Sequence, residues 1–211
     1  MNLLLFGSIA YLLGSIPTAV WIGKSRFGID VREHGSKNAG ATNTFRILGK
    51  KAGITVLVFD IIKGLLAVLM PIIFFKFGYL SSTISEDEII YLQIIAAILA
   101  VIGHVFPIFA SFKGGKGVAT SLGVIIGIHP PAAGVCLLLF LFVFIVFHYV
   151  SLGAICASVA FPFVLVFLFN VSNSWLILFS IVLSSAVIVA HKKNIGRLLK
   201  GEEGKMKLSK K

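Results

Sequence analysis

The sequence predicts an all-α integral membrane protein with seven transmembrane helices, an external N-terminus and a cytoplasmic C-terminus. Its 211 residues are 58% hydrophobic and only 13% charged, with a mean hydropathy of +1.03. Seventeen of the 19 Lys and Arg residues fall in three basic islands, Lys24–Lys51, Lys113–Lys116 and Lys192–Lys211. Because cytoplasmic loops of membrane proteins are rich in Lys and Arg, we expect all three islands on the cytoplasmic side.

Seven apolar segments account for the predicted helices, since about 20 apolar residues cross a hydrocarbon core of about 30 Å. The first segment carries no charge and lacks the basic flank of a secretory signal, so we predict that it is a true span. The segments are Asn2–Gly23, Gly53–Phe75, Ile89–Phe112, Gly117–Ile128, Pro130–Phe147, Ser151–Phe169 and Trp175–Ala190.

The count of seven depends on a break before Pro130. As one helix, residues 117–147 would be about 46 Å long, which is too long for a bilayer. Pro130 and Pro131 lack backbone donors and disfavour helix in the residue before them. The acidic stretch Glu86–Glu88 predicts an external loop, and only an odd number of spans then keeps the basic tail inside. We predict one membrane domain over residues 1–200 and a polar basic cytoplasmic tail over residues 201–211.

The composition argues against several kinds of ligand. The net charge of +11 is explained by orientation in the membrane, and the islands lack the interleaved aromatic residues of a single-strand-binding surface, so we expect no nucleic acid partner. Cys136 and Cys156 are isolated in apolar segments, as buried cysteines commonly are. No cluster has the spacing of metal ligands, and we predict neither a metal site nor a cofactor.

The first island contains a motif of small and polar residues, Gly35–Asn43, followed by Arg46. Small residues let a ligand approach the backbone, while the Ser, Asn and Thr side chains offer hydrogen bonds at short reach. Arg46 can hold a phosphate or carboxylate through two parallel donors. The alternative is an ordinary turn with a helix cap, because the same residue types favour turns.

The second island lies in a loop, Phe112–Thr120, in which three glycines surround Lys116. We expect backbone N–H groups of this loop, together with the N-terminus of the following helix, to face an anion. The loop departs from the P-loop of nucleotide hydrolases, which needs Gly at the position of Ala110. The alternative is a flexible loop whose lysines only orient the protein.

The third island begins with His191, at the membrane exit of the last apolar segment. On a helix, His191, Asn194 and Leu198 would share one face, with Arg197 near its edge. The alternative is the solvated basic end of a span.

Charged and polar residues inside the predicted spans are few. Asp60 and Lys63 stand three residues apart on one helix face, and an unpaired carboxylate at that depth is costly, so we predict an ion pair. Contact between a ligand and this pair is the alternative. His104 either orients the glycine loop or forms a hydrogen bond between helices. Residues 14–17, Gly-Ser-Ile-Pro, predict a kink or a close helix contact.

The same residues narrow the chemistry. No Asp follows a His at five residues, so the HxxxxD arrangement of a common class of lipid acyltransferases is absent, and no Cys lies near a polar motif. A site rich in phosphate-binding groups beside lipid suits two phosphate-bearing substrates, one soluble and one lipid-like. A carrier for organic phosphates is the alternative, because broken helices also bind ions in carriers.

Taken in order, the polar motifs resemble those of the bacterial membrane acyl-phosphate:glycerol-3-phosphate acyltransferases over nearly the whole chain. Lys37 departs from the family pattern, which has a small residue, Gly, at that position. The matching motifs are Gly14-Ser15-Ile16-Pro17, Gly35-Ser36-x-Asn38-x-Gly40-Ala41-Thr42-Asn43-x-x-Arg46, Asp60-x-x-Lys63-Gly64, Gly103-His104-x-x-Pro107, Phe112-x-Gly114-Gly115-Lys116-Gly117-Val118-Ala119-Thr120, and His191-x-x-Asn194-Ile195-x-Arg197-Leu198-x-x-Gly201-x-Glu203.

The resemblance implies a multi-pass enzyme of the bacterial cytoplasmic membrane. Its reaction would transfer a fatty acyl group from acyl phosphate to the 1-hydroxyl of sn-glycerol 3-phosphate, giving lysophosphatidate and phosphate. This is the first acylation of phospholipid synthesis. The expected partners are glycerol 3-phosphate, acyl phosphate and membrane lipid.

The resemblance also implies roles for single residues. Ser36 and Arg46 would be essential, His191 and Asn194 would support activity, and Glu203 would be chiefly structural. The cost of a lone carboxylate in a span, not the resemblance, makes Asp60 structural as well. Residue chemistry adds Lys116 to the catalytic set, as a charge that stabilises the departing phosphate. The proton acceptor is His191 or a substrate phosphate, and we favour the phosphate. The candidate substrate-binding residues are Asn38, Thr42, Asn43, Lys63, His104, Gly114, Gly115, Gly117 and Thr120.

Overall fold

A computed structural model describes residues 3–80 and 85–206, and within those ranges every regular element is helical. The predictions for residues 1–2, 81–84 and 207–211, including the last three lysines of the tail, lie outside the described residues. The helices are α1 (Leu3–Gly14), α2 (Thr18–Phe27), α3 (Ala41–Leu48), α4 (Lys50–Lys76), α5 (Glu86–Val105), α6 (Val118–Ile128), α7 (Pro130–Phe147), α8 (Val150–Phe163), α9 (Ser174–Ala190) and α10 (Lys192–Leu199), with a 3-10 turn at Ile108–Ala110 and a π-helical turn at Val164–Leu168.

The helices form two compact units. The first unit, Met1–Ile128, contains α1 to α6, and the second unit, His129–Lys211, contains α7 to α10. The prediction of one domain over residues 1–200 stays a prediction.

All seven predicted apolar segments correspond to apolar helices. Five stretches are long and apolar enough to cross a membrane, and α9 with α10 adds a sixth if this pair, bent by 61°, is one span. Helix α6 is apolar but has only 11 residues. The number of helices that cross and the orientation of the termini therefore stay predictions. The five stretches are Leu4–Phe27, Lys50–Lys76, Asp87–Ala110, Pro130–Phe147 and Val150–Leu168.

Both predicted interruptions are confirmed. Helix α1 ends at Gly14 and α2 begins at Thr18, so the first apolar stretch is broken before Pro17. Helix α7 begins at Pro130, where the missing N–H of a proline costs least because the first N–H groups of a helix have no partner within it. The Nδ1 atom of His129 caps α7 by accepting the N–H of Ala132 at 3.2 Å.

Small residues bring the helices of the first unit together, as is common where lipid offers no hydrophobic driving force. A Cβ atom on Gly64 of α4 would collide with the carbonyl of Thr120, and one on Gly123 of α6 would collide with the carbonyl of Ile61. Helices α4 and α6 therefore touch backbone to backbone, which fixes where α6 begins. A second contact between α1, α4 and α5 is lined by alanines, namely Ala10, Ala67, Ala96 and Ala100.

The beginning of the tail packs against the second unit. The N–H of Met206 donates to the carbonyl of His148 at 2.9 Å, and Glu203 is buried. As far as Met206, the tail therefore returns toward the start of α8, with Glu203 as its buried residue.

Candidate active site

Asn43 is the centre around which the loop of the first island folds. Its Nδ2 group donates to the carbonyls of Val31, His34 and Asn38 at 2.8, 3.1 and 3.0 Å. Its Oδ1 atom accepts the N–H of Ser36 at 2.9 Å, and the residue is only 1% exposed. All of these partners lie within the protein. The Asn43 side chain therefore fixes the backbone of the loop, including that of Ser36.

The two residues of the first island predicted to be essential are both exposed. Ser36 lies in the loop held by Asn43, and Arg46 lies in the last turn of α3. Lys37, between them, has a φ of +56°, a left-handed conformation that costs a non-glycine residue about 1–2 kcal/mol. A glycine would adopt this conformation without that cost.

The remaining predicted residues of this motif are half-buried beside the start of α3. Asn38 supplies a carbonyl to Asn43, and Thr42 lies in the first turn of the helix. Gly40 occupies the cap position in an extended conformation and gives α3 no side-chain cap.

The glycine loop folds back onto the end of α5. The N–H groups of Gly114 and Gly115 donate to the carbonyls of Val105 and His104 at 3.1 and 3.2 Å. These two N–H groups therefore satisfy the last carbonyls of a helix, which lack partners within it. They are thus engaged within the protein, whereas the sequence indicated that they would face an anion. Gly117 has a φ of +78°, which favours glycine and turns the chain into α6.

Gly115 lies where the first and second islands meet. A Cβ atom there would collide with Nε2 of His104 and would lie 3.0 Å from the carbonyl of Ala39. A glycine is therefore needed for the loop to approach both His104 and the first island. Because of this packing, replacing Gly115 would disturb the loop itself.

A buried polar network lies beneath the glycine loop. Asp60 and Lys63 form the predicted ion pair at 2.8 Å, which is confirmed, and Nζ of Lys63 also donates to the carbonyl of Ile16 at 2.9 Å. Nδ1 of His104 lies 3.0 Å from Oγ1 of Thr120 and 3.7 Å from Asp60. His104 therefore both orients the loop and bonds across helices.

This network also forms hydrogen bonds with the break between α1 and α2. The hydroxyl of Thr18, at the start of α2, donates to Asp60 at 3.4 Å, while Nζ of Lys63 donates to the carbonyl of Ile16 within the break. Lys63, His104 and Thr120 are each at most 6% exposed. Their contacts within the protein account for their positions without a ligand.

Lys116 follows directly from this supported loop. It is half-buried, whereas Lys113 in the same loop is exposed. Helix α6 begins two residues later at Val118, so its N-terminal dipole adds positive potential near the lysine.

Sequence reasoning did not single out Asp30 and Arg32, which join the first island to the second. Arg32 pairs with both oxygens of Asp30 at 2.9 and 2.7 Å, and it donates to the carbonyls of Ala110 and Lys113. The Arg32 guanidinium holds the pKa of Asp30 well below its usual range. The available signal was a carboxylate two residues before an arginine within a predominantly basic stretch.

The second unit carries the third island. Nδ1 of the buried His191 lies 2.8 Å from the carbonyl of Val187, so it donates its hydrogen there. In a neutral imidazole, Nε2 then keeps a lone pair that can accept a proton. A backbone carbonyl thus orients this ring.

Glu203 is the hub of the third island. It accepts hydrogen bonds from Ser151, Asn194 and Arg197 at 2.7, 2.6 and 2.7 Å. Burial disfavours its charge, but these three donors outweigh burial and lower the pKa of Glu203. The arrangement ties the tail to α8 and α10 and fixes the orientation of Asn194.

Comparison with known proteins decides the family. Residues 4–201 match the family model described as glycerol-3-phosphate acyltransferase. A glycerol-3-phosphate acyltransferase of Chlorobium phaeobacteroides strain BS1 is 38% identical over 98% of this chain and 97% of its own length. The Streptococcus pyogenes protein of the same name is 44% identical over 94% of this chain and 90% of its own.

The chain belongs to the glycerol-3-phosphate acyltransferase family.

A solved structure supports the family and the fold. The crystal structure of PlsY, described as an integral membrane glycerol 3-phosphate acyltransferase, was determined in a glycerol 3-phosphate form. It matches with a TM-score of 0.83 and 36% identity, over 97% of this chain and 96% of that chain. A lysophosphatidic acid form of PlsY matches with a TM-score of 0.79. The present chain is therefore an all-helical, multi-pass membrane acyltransferase.

Within this acyltransferase, the structure joins some predicted site residues directly. Asn43 holds Ser36, His104 contacts Thr120, and Asn194 contacts Glu203. Ser36, Arg46 and Lys116 all belong to the first unit, whereas His191 and Asn194 belong to the second.

Proposed function

We propose that the protein transfers a fatty acyl group from acyl phosphate to the 1-hydroxyl of sn-glycerol 3-phosphate. The products are 1-acyl-glycerol 3-phosphate, which is lysophosphatidate, and inorganic phosphate. We further propose that the three basic islands face the cytoplasm from a bacterial cytoplasmic membrane, with the N-terminus outside.

The observation that carries this proposal is the likeness to PlsY over 97% of the chain. That fold is described in a glycerol 3-phosphate form and in a lysophosphatidic acid form. These two molecules are the acceptor and the product of the proposed reaction.

The choice of acyl phosphate as donor rests on the residues of this chain. The HxxxxD arrangement of a common class of lipid acyltransferases is absent, and both cysteines lie within apolar helices, α7 and α8. An acyl phosphate is already activated, so a site that holds two phosphates together can be sufficient. The cationic groups Arg46 and Lys116 suit that task.

In the reaction, the 1-hydroxyl oxygen attacks the carbonyl carbon of the acyl phosphate. The bond between that carbon and the phosphate oxygen breaks, and phosphate leaves with the electron pair. Lys116 and Arg46 stabilise the negative charge that develops on the phosphate. Ser36, held by Asn43, and Asn194, held by Glu203, orient the reactants.

The hydroxyl proton has two candidate acceptors. A substrate phosphate oxygen lies close to the reacting hydroxyl in any productive complex and needs no protein base, and we favour it for that reason. His191 is the alternative, because its Nδ1 hydrogen donates to Val187 and leaves Nε2 able to accept. A kcat that loses its acidic limb in His191→Gln would favour the histidine.

An assay of the purified protein tests the proposed function against the carrier alternative. With glycerol 3-phosphate and acyl phosphate, we expect one lysophosphatidate and one inorganic phosphate per turnover. Vesicles containing the protein should show no exchange of glycerol 3-phosphate across the bilayer. Exchange without any acylated product would reject the enzyme and favour the carrier.

A further inference from the structure

Arg32 occupies the junction between the loops of the first and second islands. Its Nη1 group donates to the carbonyl of Ala110 at 2.7 Å and to that of Lys113 at 3.3 Å. These carbonyls come from the turn that leads into the glycine loop, about 80 residues later in the chain. Arg32 of the first island is thus hydrogen-bonded to the beginning of the loop that carries Lys116.

The segment that Arg32 contacts has an unfavourable backbone conformation. Ser111 and Phe112 have φ values of +53° and +57°, so two consecutive non-glycine residues are left-handed. Such conformations persist only where the surroundings impose them, and they cluster at functional sites. The N–H groups of Phe112 and Lys113 close this turn onto the carbonyls of Pro107 and Ala110. The two carbonyls that accept from Arg32 lie on either side of the left-handed pair, so Arg32 is the side chain placed to stabilise it.

Asp30 fixes Arg32 in turn. Both carboxylate oxygens of Asp30 accept from the guanidinium, at 2.9 and 2.7 Å, and Asp30 Oδ1 also accepts the N–H of Arg32. Lys24 adds a second cation at 3.3 Å from Asp30. A guanidinium has five N–H donors in a rigid fork, and four of them are engaged here within the protein. Arg32 is therefore built to hold backbone rather than substrate.

The other side of the loop has its own support. The N–H groups of Gly114 and Gly115 donate to the last carbonyls of α5. Arg32 holds the segment before these glycines, and Lys116 follows directly after them. The direction in which the chain reaches Lys116 is thus set by α5 and by Arg32 together.

We propose that Arg32, locked by Asp30, is a positioning residue: it stabilises the left-handed Ser111–Phe112 turn and thereby sets the place of Lys116 in the site. This inference rests on the proposed function, because it assigns Lys116 the charge that acts on phosphate. It goes beyond it by adding two residues outside the motifs of the resemblance.

The first test is kinetic and uses Arg32→Lys, which keeps the charge but loses the fork that holds Asp30 and both carbonyls. We expect kcat to fall by about 10-fold or more, because small misplacements of a catalytic group are costly, while the KM for glycerol 3-phosphate changes by less than about 3-fold. Asp30→Asn should give the same pattern more weakly. Arg26→Ala is the matched control, since Arg26 is an exposed arginine of the same island, and it should behave as wild type.

The second test asks whether Arg32 acts through Lys116. If it does, Arg32→Lys should cost little once the lysine charge is gone, so the double variant with Lys116→Met should turn over within about 3-fold of Lys116→Met alone. Losses that multiply would overturn the proposal. A KM for glycerol 3-phosphate that rises tenfold with kcat unchanged would overturn it as well, because Arg32 would then contact substrate.

A third measurement does not depend on activity. Hydrogen exchange of the amides of residues 112–115, which are all hydrogen-bonded in the loop, should speed up in Arg32→Lys while α4 and α7 keep wild-type protection. Unchanged exchange in this loop would reject the positioning role. If wild-type protein made no lysophosphatidate but the loop exchange still rose, the proposed function would fail and the structural role of Arg32 would stand.

Discussion

Lys116 has three properties that suit it to meet a phosphate. It is half-buried, it follows two glycines that are anchored to α5, and it stands two residues before the first residue of α6. Burial raises the strength of its electrostatic interactions, and the helix dipole adds to the positive potential there. Lys113 shares the loop but is exposed, so the two lysines form a natural pair for comparison.

Lys116→Met keeps the length and the apolar bulk of the side chain but deletes the charge. We expect kcat to fall by about 10²-fold or more, which corresponds to roughly 3 kcal/mol of transition-state stabilisation. The melting temperature should stay near that of wild type. Lys113→Met, its control, should keep nearly full activity. Equal, small effects of both substitutions would mean that these lysines only orient the protein in the membrane.

At the scale of residues, contacts between neighbours on one helix could be predicted from the sequence, whereas contacts between distant parts of the chain could not. The ion pair of Asp60 with Lys63 follows from a helical spacing and from the cost of a lone carboxylate in a span. The engagement of the N–H groups of Gly114 and Gly115 could not be predicted, because it requires knowing that the chain turns back onto α5. The same holds for Arg32, whose acceptors lie far away in the sequence.

At the scale of elements, breaks in the helices were the most predictable feature. Prolines have local effects, so the end of α1 before Pro17 and the start of α7 at Pro130 could be placed from the sequence alone. The packed start of the tail could not, since its polar composition resembles that of a solvated end. Its order comes from Glu203, which satisfies donors from α8 and α10.

Glu203→Gln tests that role of the tail. The pKa of Glu203 is lowered by folding, so its stabilising contribution is complete above its unfolded pKa of about 4.3 and is lost as pH falls through the lower folded value. At pH 7, we expect the variant to lose about 1–2 kcal/mol of stability in detergent, because the charged partner of Arg197 is gone.

The pH dependence separates this effect from a general weakening of the fold. The difference in melting temperature between wild type and Glu203→Gln should begin to shrink as pH falls below about 4, where the unfolded chain takes up the proton, and should vanish as pH falls through the lowered pKa of folded Glu203. Glu202→Gln is the matched control: the side chain of Glu202 is exposed, so we expect the melting temperature of this variant to equal that of wild type at every pH. A difference that is the same at pH 7 and below pH 4 would contradict the assigned ionic role.

At the scale of the whole molecule, the order of apolar segments and basic islands is simple enough to be predicted from composition. The seven segments all appear as apolar helices, and the family expected from the motifs is confirmed. How the first and second islands approach one another was not predictable, because it depends on the close approach of Gly115 to the carbonyl of Ala39.

The central claim is that this site uses acyl phosphate directly. The most direct measurement is the rate of lysophosphatidate formation by the purified protein from glycerol 3-phosphate, with acyl phosphate and acyl-CoA of the same chain offered separately. We predict turnover with acyl phosphate, equal release of inorganic phosphate, and no significant product from acyl-CoA. Equal or faster turnover with acyl-CoA would contradict the account.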